Sequence, residues 1–153
     1  MTESSAEKPT TITPYLYYED VEEALLWLSR AFGFSEREQE TMRNEDGKVV
    51  HAAMELGDGT VLMGCPGADY QNPKRTGHVS QNLYVYVDDV DQHFSCAKQA
   101  GANILSEPEE TFYGDRRYGV EDVEGHQWYF AQQIRAMSAE EWQPTEKDLK
   151  GHS

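Results

Sequence analysis

The stretch 12-ITPYLYYEDVEEALLWLSRAFG-33 recurs later in the chain as 81-QNLYVYVDDVDQHFSCAKQAG-101. Each copy begins with alternating residues rich in tyrosine, leucine and valine, which is typical of a β-strand with two different faces. Each copy then carries apolar residues at spacings of four and seven, which predicts a helix with one buried stripe. The shared order of these features indicates an internal repeat, so we expect two related modules.

Both predicted helices carry start and stop signals. Asp20 and Asp89 each precede a glutamate or glutamine by three residues, which is the spacing of an N-terminal capping box. Gly33 and Gly101 stand where a left-handed C-terminal cap is expected. The rest of each module is predicted to form strands separated by glycine-containing turns. The strand-like segments are 36–44, 48–56, 104–113 and 116–123, with a further strand closing each module. The expected fold class is therefore α+β, with two tandem βαβββ modules.

We expect one domain with short extensions at both ends. The predicted boundaries are 1–10 for a flexible N-terminal segment, 11–135 for the domain and 136–153 for a short helix and frayed tail. Within the domain, module 1 spans about 11–65, a polar linker 66–79 and module 2 about 80–133. In the tail, Ser138 and Glu141 predict the start of a helix that includes Trp142.

The composition excludes several classes of partner. The 153 residues include 28 acidic and 13 basic side chains, for a net charge of −15. Such a surface repels phosphate backbones and anionic lipid, so we expect neither a nucleic-acid nor a membrane partner. The N-terminus lacks the apolar core of a secretory signal, and Cys65 and Cys96 fit no disulfide or metal pattern. We expect a cytoplasmic protein whose charge serves solubility or attracts a cationic ligand.

Four segments resemble the vicinal oxygen chelate superfamily, which includes glyoxalases, bleomycin-resistance proteins and dioxygenases. They are PYLYYEDVEEALLWLSRAFGF (14–34), HAAMELGDGTVLMG (51–64), LYVYVDDVDQHFSCAKQAGA (83–102) and YGDRRYGVEDVEGHQWYFAQ (113–132). The last is especially similar to the bleomycin-resistance-like branch, where a YGDR-type turn precedes a D-x-x-G-H-x-W hairpin. The resemblance implies curled mixed sheets around a U-shaped cup. It also implies a homodimer that sequesters a small molecule without turning it over, as in antibiotic resistance.

Metal-using members of that superfamily place one ligand on the first and one on the last strand of each module. Counting along the repeat puts these positions at Thr13, Met63, Asn82 and Tyr129. Divalent first-row metals in catalytic sites take imidazole and carboxylate donors, which this quartet does not supply. We therefore predict no metal, no cofactor and no catalytic residue, although a one-residue slip in register would exchange the two faces.

The cup face is instead predicted to bind an organic ligand. The candidate ligand-binding residues are Thr13, Tyr15, Tyr17, Met63, Asn82, Tyr84, Tyr86, Tyr113, Arg117 and Tyr129. Tyrosine rings stack on planar heterocycles and attract cations, so a planar or cationic drug-like compound is expected. Alternatively, the tyrosines merely fill the sheet.

The turn that contains Tyr113 and Arg117 has two interpretations. Arg116 or Arg117 would hold an anionic or carbonyl group of the ligand. Alternatively, one arginine pairs with a nearby acid such as Asp115 or Glu121.

Other residues are assigned to structural roles. Trp128 and Phe130 are predicted to pack in the core beneath a helix, and His93 to lie on an exposed helix position. His51 is either a hydrogen-bonded structural residue or an acid or base in the pocket. Two other functions stay open: an enzyme of the same superfamily (a metal-dependent isomerase, lyase or dioxygenase with an atypical site), and a protein-contact role with a degenerate cup.

Overall fold

The computed structural model describes residues 9–150, so parts of the predicted N-terminal segment and tail lie outside the described residues. The chain divides into two compact units between Gly77 and His78. The first unit contains β1 (Tyr15–Tyr17), α1 (Val21–Phe32), β2 (Ser35–Glu36), β3 (Met42–Arg43), β4 (Val49–Leu56), β5 (Gly59–Gly64) and the single helical turn α2 (Pro73–Thr76). The second contains β6 (Asn82–Tyr86), α3 (Val90–Gln99), β7 (Asn103–Glu110), β8 (Asp115–Glu121), β9 (Gln127–Gln133) and α4 (Glu146–Lys150).

Each unit is built on one mixed sheet. In the first unit the strand order is β1-β5-β4-β2, with β3 also paired to β4, and β1 runs parallel to β5. In the second unit the order is β6-β9-β8-β7, with β6 parallel to β9. The predicted α+β class with two βαβββ modules is therefore confirmed.

The helix signals act as the sequence predicts. The Asp20 carboxylate accepts a hydrogen bond from the backbone N–H of Glu23 at 3.0 Å, and Gly33 ends α1 with a φ of 82°. In the second unit, Asp89 caps α3 in the same way, and Gly101 has a φ of 87°. These local contacts fix where each helix begins and ends, because they satisfy backbone groups that the helix leaves free.

The predicted strand over 36–44 is interrupted. A 3-10 turn at Glu38–Glu40 separates β2 from β3. The Arg37 side chain just before this turn binds Glu55 and Thr60 on the neighbouring strands, and also Glu40. The Arg37 side chain thus links the turn to the sheet at the point where the strand pairing with β4 is interrupted.

The core of the second unit lies between its sheet and α3. Trp128 and Phe130 are fully buried and stacked, which confirms the predicted core positions. The prediction for His93 is wrong: its ring centre lies 4.0 Å from that of Phe130, and its Nδ1 is 2.6 Å from the Tyr118 hydroxyl. His93 stands three residues after the buried Val90, so it belongs to the edge of the buried stripe.

The tail departs from its predicted helix. Ser138 and Glu141 do exchange the two hydrogen bonds of a capping box, but only a turn follows them. Pro144 disfavours helical backbone in the residue before it, so the turn does not propagate. The helix forms later, as α4, where the Thr145 hydroxyl accepts from the N–H of Asp148 and the Asp148 carboxylate accepts from the N–H of Thr145. Within residues 9–150, no helix has the length and apolar character of a membrane span.

Candidate functional site

A pocket of about 640 Å³ lies in the second unit. Its volume falls within the range of about 300–1,000 Å³ that is typical of small-molecule sites. Its lining residues are Asn82, Tyr84, Phe112, Tyr113, Arg117, Tyr129, Trp142, Pro144, Asp148 and Leu149. Half of the sequence-predicted residues are therefore brought together around one pocket: Asn82, Tyr84, Tyr113, Arg117 and Tyr129.

The alternation of β6 and β9 places two tyrosines side by side on the open face of the sheet. Tyr84 pairs with Tyr129 across the parallel strands, while Leu83 pairs with the buried Trp128 on the opposite face. Because side chains alternate along a strand, one face buries the core and the other lines the pocket.

A buried carboxylate fixes the tyrosines of this face. Asp115 is only 2% exposed, and its Oδ2 accepts hydrogen bonds from the Tyr84 hydroxyl at 2.7 Å and the Tyr86 hydroxyl at 2.8 Å. The Tyr113 hydroxyl lies 3.2 Å from that of Tyr84. Tyr86 therefore binds Asp115 from an exposed position and does not line the pocket.

The protonation of these phenols follows from their environment. Burial, the hydrogen bond to Asp115 and its negative charge raise the pKa of Tyr86 to about 12. Burial, and then the hydrogen bonds with Tyr113 and Asp115, raise the pKa of Tyr84 further still. Both phenols are therefore neutral near pH 7 and direct their protons at Asp115. Sequence reasoning considered Asp115 only as a partner for arginine and missed this role.

The two neighbouring arginines have different surroundings. Arg116 pairs with Asp91 of α3 at 3.0 Å. The guanidinium carbon of Arg117 lies 4.9 Å from the centre of the Tyr129 ring, and its buried Nε has no hydrogen-bond partner in the described part of the chain. The alternative that one arginine of the turn pairs with an acid therefore holds for Arg116, but its partner is Asp91 and not Asp115 or Glu121.

Gly119 makes room for the Tyr129 ring. The two residues are partners across β8 and β9, and a Cβ at position 119 would stand 2.7 Å from Cε1 of Tyr129. The ring therefore rests against the backbone of Gly119. A glycine inside a predicted strand is the sequence signal for such a close approach.

The C-terminal segment supplies the part of the pocket that sequence reasoning missed. Trp142, Pro144, Asp148 and Leu149 line it, and the Trp142 ring meets that of Phe112 with centres 5.1 Å apart. Trp142 is 53% exposed despite its size. The sequence signals for this wall are the aromatic Trp142 and the apolar Leu149 in a mostly polar tail.

The remaining predicted residues belong to the first unit. Tyr15 and Tyr17 are about half exposed on one face of β1, and the Tyr15 hydroxyl lies 2.9 Å from Nδ1 of His51. The backbone carbonyl of Tyr17 accepts a hydrogen bond from the Tyr70 hydroxyl. The Thr13 hydroxyl lies 2.7 Å from that of Thr10. None of these side chains lines the pocket of the second unit.

The predicted position of Met63 is wrong. Met63 pairs with Leu16 across β1 and β5, and both side chains are buried in the core; Leu62 is the residue that pairs with Tyr15. The error comes from the hairpins. Two residues connect the paired Leu56 and Gly59 in the first unit, but five connect Glu121 and Gln127 in the second. The two connections therefore differ by three residues, an odd number. Counting the same number of residues from the hairpin glycine consequently reaches opposite faces of the sheet in the two units.

The corrected positions also fail to match a metal site of the kind that metal-using relatives have. They are occupied by Thr13, Leu62, Asn82 and Tyr129, which provide a hydroxyl, an alkyl group, an amide and a phenol. Catalytic sites for divalent first-row metals use imidazole and carboxylate donors instead. Across residues 9–150, the structure also groups no three His, Cys, Asp or Glu side chains that could hold a metal ion.

Known proteins resemble this chain over most of its length. Residues 10–130 match the family model of the glyoxalase/bleomycin resistance protein/dioxygenase superfamily. An uncharacterised protein of Mycobacterium bovis is 30% identical over 138 residues, which cover 86% of this chain and 89% of that protein. The crystal structure of TioX from Micromonospora sp. ML1 is 34% identical, with a TM-score of 0.63, and the match covers 84% of this chain and all of TioX.

A more distant similarity extends the fold comparison. The genomically encoded fosfomycin resistance protein FosX from Listeria monocytogenes has a TM-score of 0.60 at 11% identity, covering 88% of this chain and 98% of that protein. At this identity the match shows a common fold and carries no information on the ligand.

Proposed function

Because the chain belongs to the glyoxalase/bleomycin resistance protein/dioxygenase superfamily, we propose that it binds and sequesters a planar drug-like small molecule in the pocket of its second unit. The proposal includes the bleomycin-resistance-like branch, with neither metal nor chemical turnover. It also includes a homodimer in the cytoplasm and a role in antibiotic resistance, which are supported by the resemblance of the YGDRRY turn and the following hairpin.

The observation that carries the proposal is the aromatic wall of the pocket. Its aromatic members are Tyr84, Phe112, Tyr113, Tyr129 and Trp142. Flat rings offer large contact areas to a planar ligand at a small cost in side-chain entropy, and they favour stacked or edge-to-face contacts. A pocket of this volume and lining is therefore suited to a compound with one or more fused rings.

The chemistry of the lining favours binding over catalysis. The ten lining residues include no histidine, cysteine, serine or lysine. The Tyr84 proton is directed at Asp115, and Oδ2 of Asp148 already accepts hydrogen bonds from the N–H and hydroxyl of Thr145. The pocket lining thus lacks the serine, cysteine, lysine and histidine side chains that most often act in covalent catalysis, and the raised pKa of Tyr84 keeps its phenol protonated near pH 7. The alternative of a superfamily enzyme is therefore less well supported by this pocket.

The proposal is tested by titrating the protein with planar probes. We would use 2-naphthoate, 2-naphthamide and 2-naphthylmethylammonium, which share one ring system and differ in charge, with isothermal titration calorimetry as the readout. At least one should bind, and Tyr129→Ala should weaken that binding by about 1–3 kcal/mol because an interior aromatic contact is lost.

Tyr17→Ala is the matched control for this experiment. It removes an exposed tyrosine from the open face of the first unit, outside the pocket, so the affinity should stay at the wild-type value. If Tyr17→Ala weakens binding and Tyr129→Ala does not, the ligand lies on the first unit and the proposed location is wrong. If no probe binds, the proposal of a planar ligand fails.

A further inference from the structure

Arg117 is the only basic residue among the ten that line the pocket. Its side chain makes no ion pair or hydrogen bond within residues 9–150, and its Nε is buried without an acceptor. Four other arginines each lie within 3.0 Å of a carboxylate: Arg37, Arg43, Arg75 and Arg116. In a chain with 28 acidic residues, the lack of a carboxylate at Arg117 does not reflect a shortage of acids.

The fold holds Arg117 in this position. Its neighbour across β9 is Ala131, a small residue, and its guanidinium lies over the Tyr129 ring. Stacking on an aromatic face stabilises a guanidinium while leaving the N–H groups in its plane available. A buried N–H without an acceptor costs free energy that a ligand acceptor would recover.

Two other polar groups of the pocket wall, the Tyr84 hydroxyl and the Asp148 carboxylate, already have partners of their own. Oδ2 of Asp115 accepts from Tyr84 and Tyr86, so the Tyr84 proton is not available to a ligand. The Asp148 carboxylate accepts from Thr145 at the start of α4. Because it is the one positively charged side chain of the lining, Arg117 is the strongest hydrogen-bond donor that the pocket can offer to a ligand.

We propose that the ligand is a planar aromatic carboxylate whose carboxylate group pairs with Arg117 while its ring system lies among the aromatic side chains. This inference rests on the proposed function and deepens it. The planar fork of a guanidinium matches a carboxylate with two parallel hydrogen bonds, which explains why arginine stands here and not lysine. The expectation of a cationic ligand rests on net charge and on the tyrosine rings, but the Tyr129 ring is already in contact with the Arg117 guanidinium. The Asp148 carboxylate of the lining already accepts hydrogen bonds from Thr145.

The same three naphthalene probes separate this inference from the proposed function. Hydrogen bonds between charged groups are strong, so wild-type protein should bind 2-naphthoate about 10- to 100-fold more tightly than 2-naphthamide or 2-naphthylmethylammonium. In Arg117→Gln the advantage of 2-naphthoate should disappear, while the affinity for 2-naphthamide changes by less than about threefold. Retained binding of the amide also shows that the variant is folded.

Arg116→Gln is the matched control, because Arg116 is adjacent in sequence but pairs with Asp91 and does not line the pocket. It should keep the full preference for 2-naphthoate. If the wild-type protein binds the amide or the ammonium compound as tightly as the carboxylate, the inference is overturned and planar binding stands. If none of the three binds, both proposals fail. The wild-type comparison decides the charge preference even if Arg117→Gln does not fold.

Discussion

Gly119→Ala is the substitution that most directly tests how the pocket is built. The new Cβ would stand 2.7 Å from Cε1 and 3.1 Å from Cζ of Tyr129, and 3.0 Å from Oγ of Ser106. The Ser106 hydroxyl also accepts a hydrogen bond from the N–H of Gly119 at 3.0 Å, which holds this neighbour in place. The ring must therefore move away from β8, or the strands must separate locally.

The magnitude follows from the overlap. Ordinary contact begins at 3.4 Å, so the ring edge must move by about 0.7 Å, the difference between 3.4 and 2.7 Å. Forcing a methyl group into a packed site typically costs about 1–3 kcal/mol. We expect a loss in this range in the free energy of unfolding. The guanidinium carbon of Arg117 lies 4.9 Å from the centre of the Tyr129 ring, so a shift of the ring should displace Arg117. The affinity for 2-naphthoate should therefore fall as well.

The assay is urea unfolding of four proteins: wild type, Gly119→Ala, Tyr129→Ala and the double variant. Removing the Tyr129 ring eliminates the larger clash, so Gly119→Ala should cost much less in the Tyr129→Ala background. A coupling of about 0.5–3 kcal/mol is typical of residues in contact. Gly59→Ala is the matched control, because its Cβ would meet only the Leu56 carbonyl at 3.5 Å, an ordinary contact.

Two results would refute this reasoning. If the effects of Gly119→Ala and Tyr129→Ala simply add, the glycine is not there to accommodate the ring. If Gly59→Ala destabilises as much as Gly119→Ala, the loss reflects glycine replacement in a strand in general and not the close approach.

Two other predictions concern the pocket walls. Asp115→Asn should lower the pKa of Tyr86 from about 12, because it removes a negative charge that disfavours the phenolate, while burial still keeps the pKa above its ordinary value. In wild-type protein, the free energy of unfolding should therefore fall as the pH rises above about 10 toward 12, and the fall should be smaller in Asp115→Asn. NMR of tyrosine-labelled protein would measure the pKa, and urea unfolding at a series of pH values would measure the stability. An unchanged Tyr86 pKa would contradict the assigned hydrogen bond. Trp142→Ala should weaken 2-naphthoate binding, measured by calorimetry, by about 1–3 kcal/mol because an aromatic wall is lost. The free energy of unfolding should change little, because the side chain is 53% exposed. Unchanged affinity would exclude the C-terminal segment from the site.

The features that the sequence predicts correctly depend on nearby residues. Asp20 finds the N–H of Glu23 three residues away, and Tyr84 and Trp128 take opposite faces because strands alternate. Met63 is different, because its face depends on the number of residues in a hairpin turn and not on the pattern of the strand. Trp142 reaches the pocket only through tertiary contact with Phe112, about which its own neighbours in sequence say nothing.

The repeat explains why a pattern that looks symmetric in sequence produces different chemistry in the two units. Three equivalent open-face positions across neighbouring strands hold Tyr15, Leu62 and Ala53 in the first unit and Tyr84, Tyr129 and Gly119 in the second. Two residues earlier on the same central strands, and so on the same face, His51 of the first unit corresponds to Arg117 of the second.

Both units place a tyrosine ring against a strand glycine, Tyr15 on Gly64 and Tyr129 on Gly119. Within residues 9–150, it is the second unit that adds a permanent cation beside the ring, Arg117. The tyrosines of the first strands, Tyr15 and Tyr84, are common to both repeats and do not distinguish them. The residues that distinguish the two units lie on the central strands β8 and β9. There the register of the sheet, and not the repeat itself, decides which side chains meet. Ligand specificity should therefore respond to substitutions at Arg117, Gly119 and Tyr129, and much less to the tyrosines that first reveal the repeat.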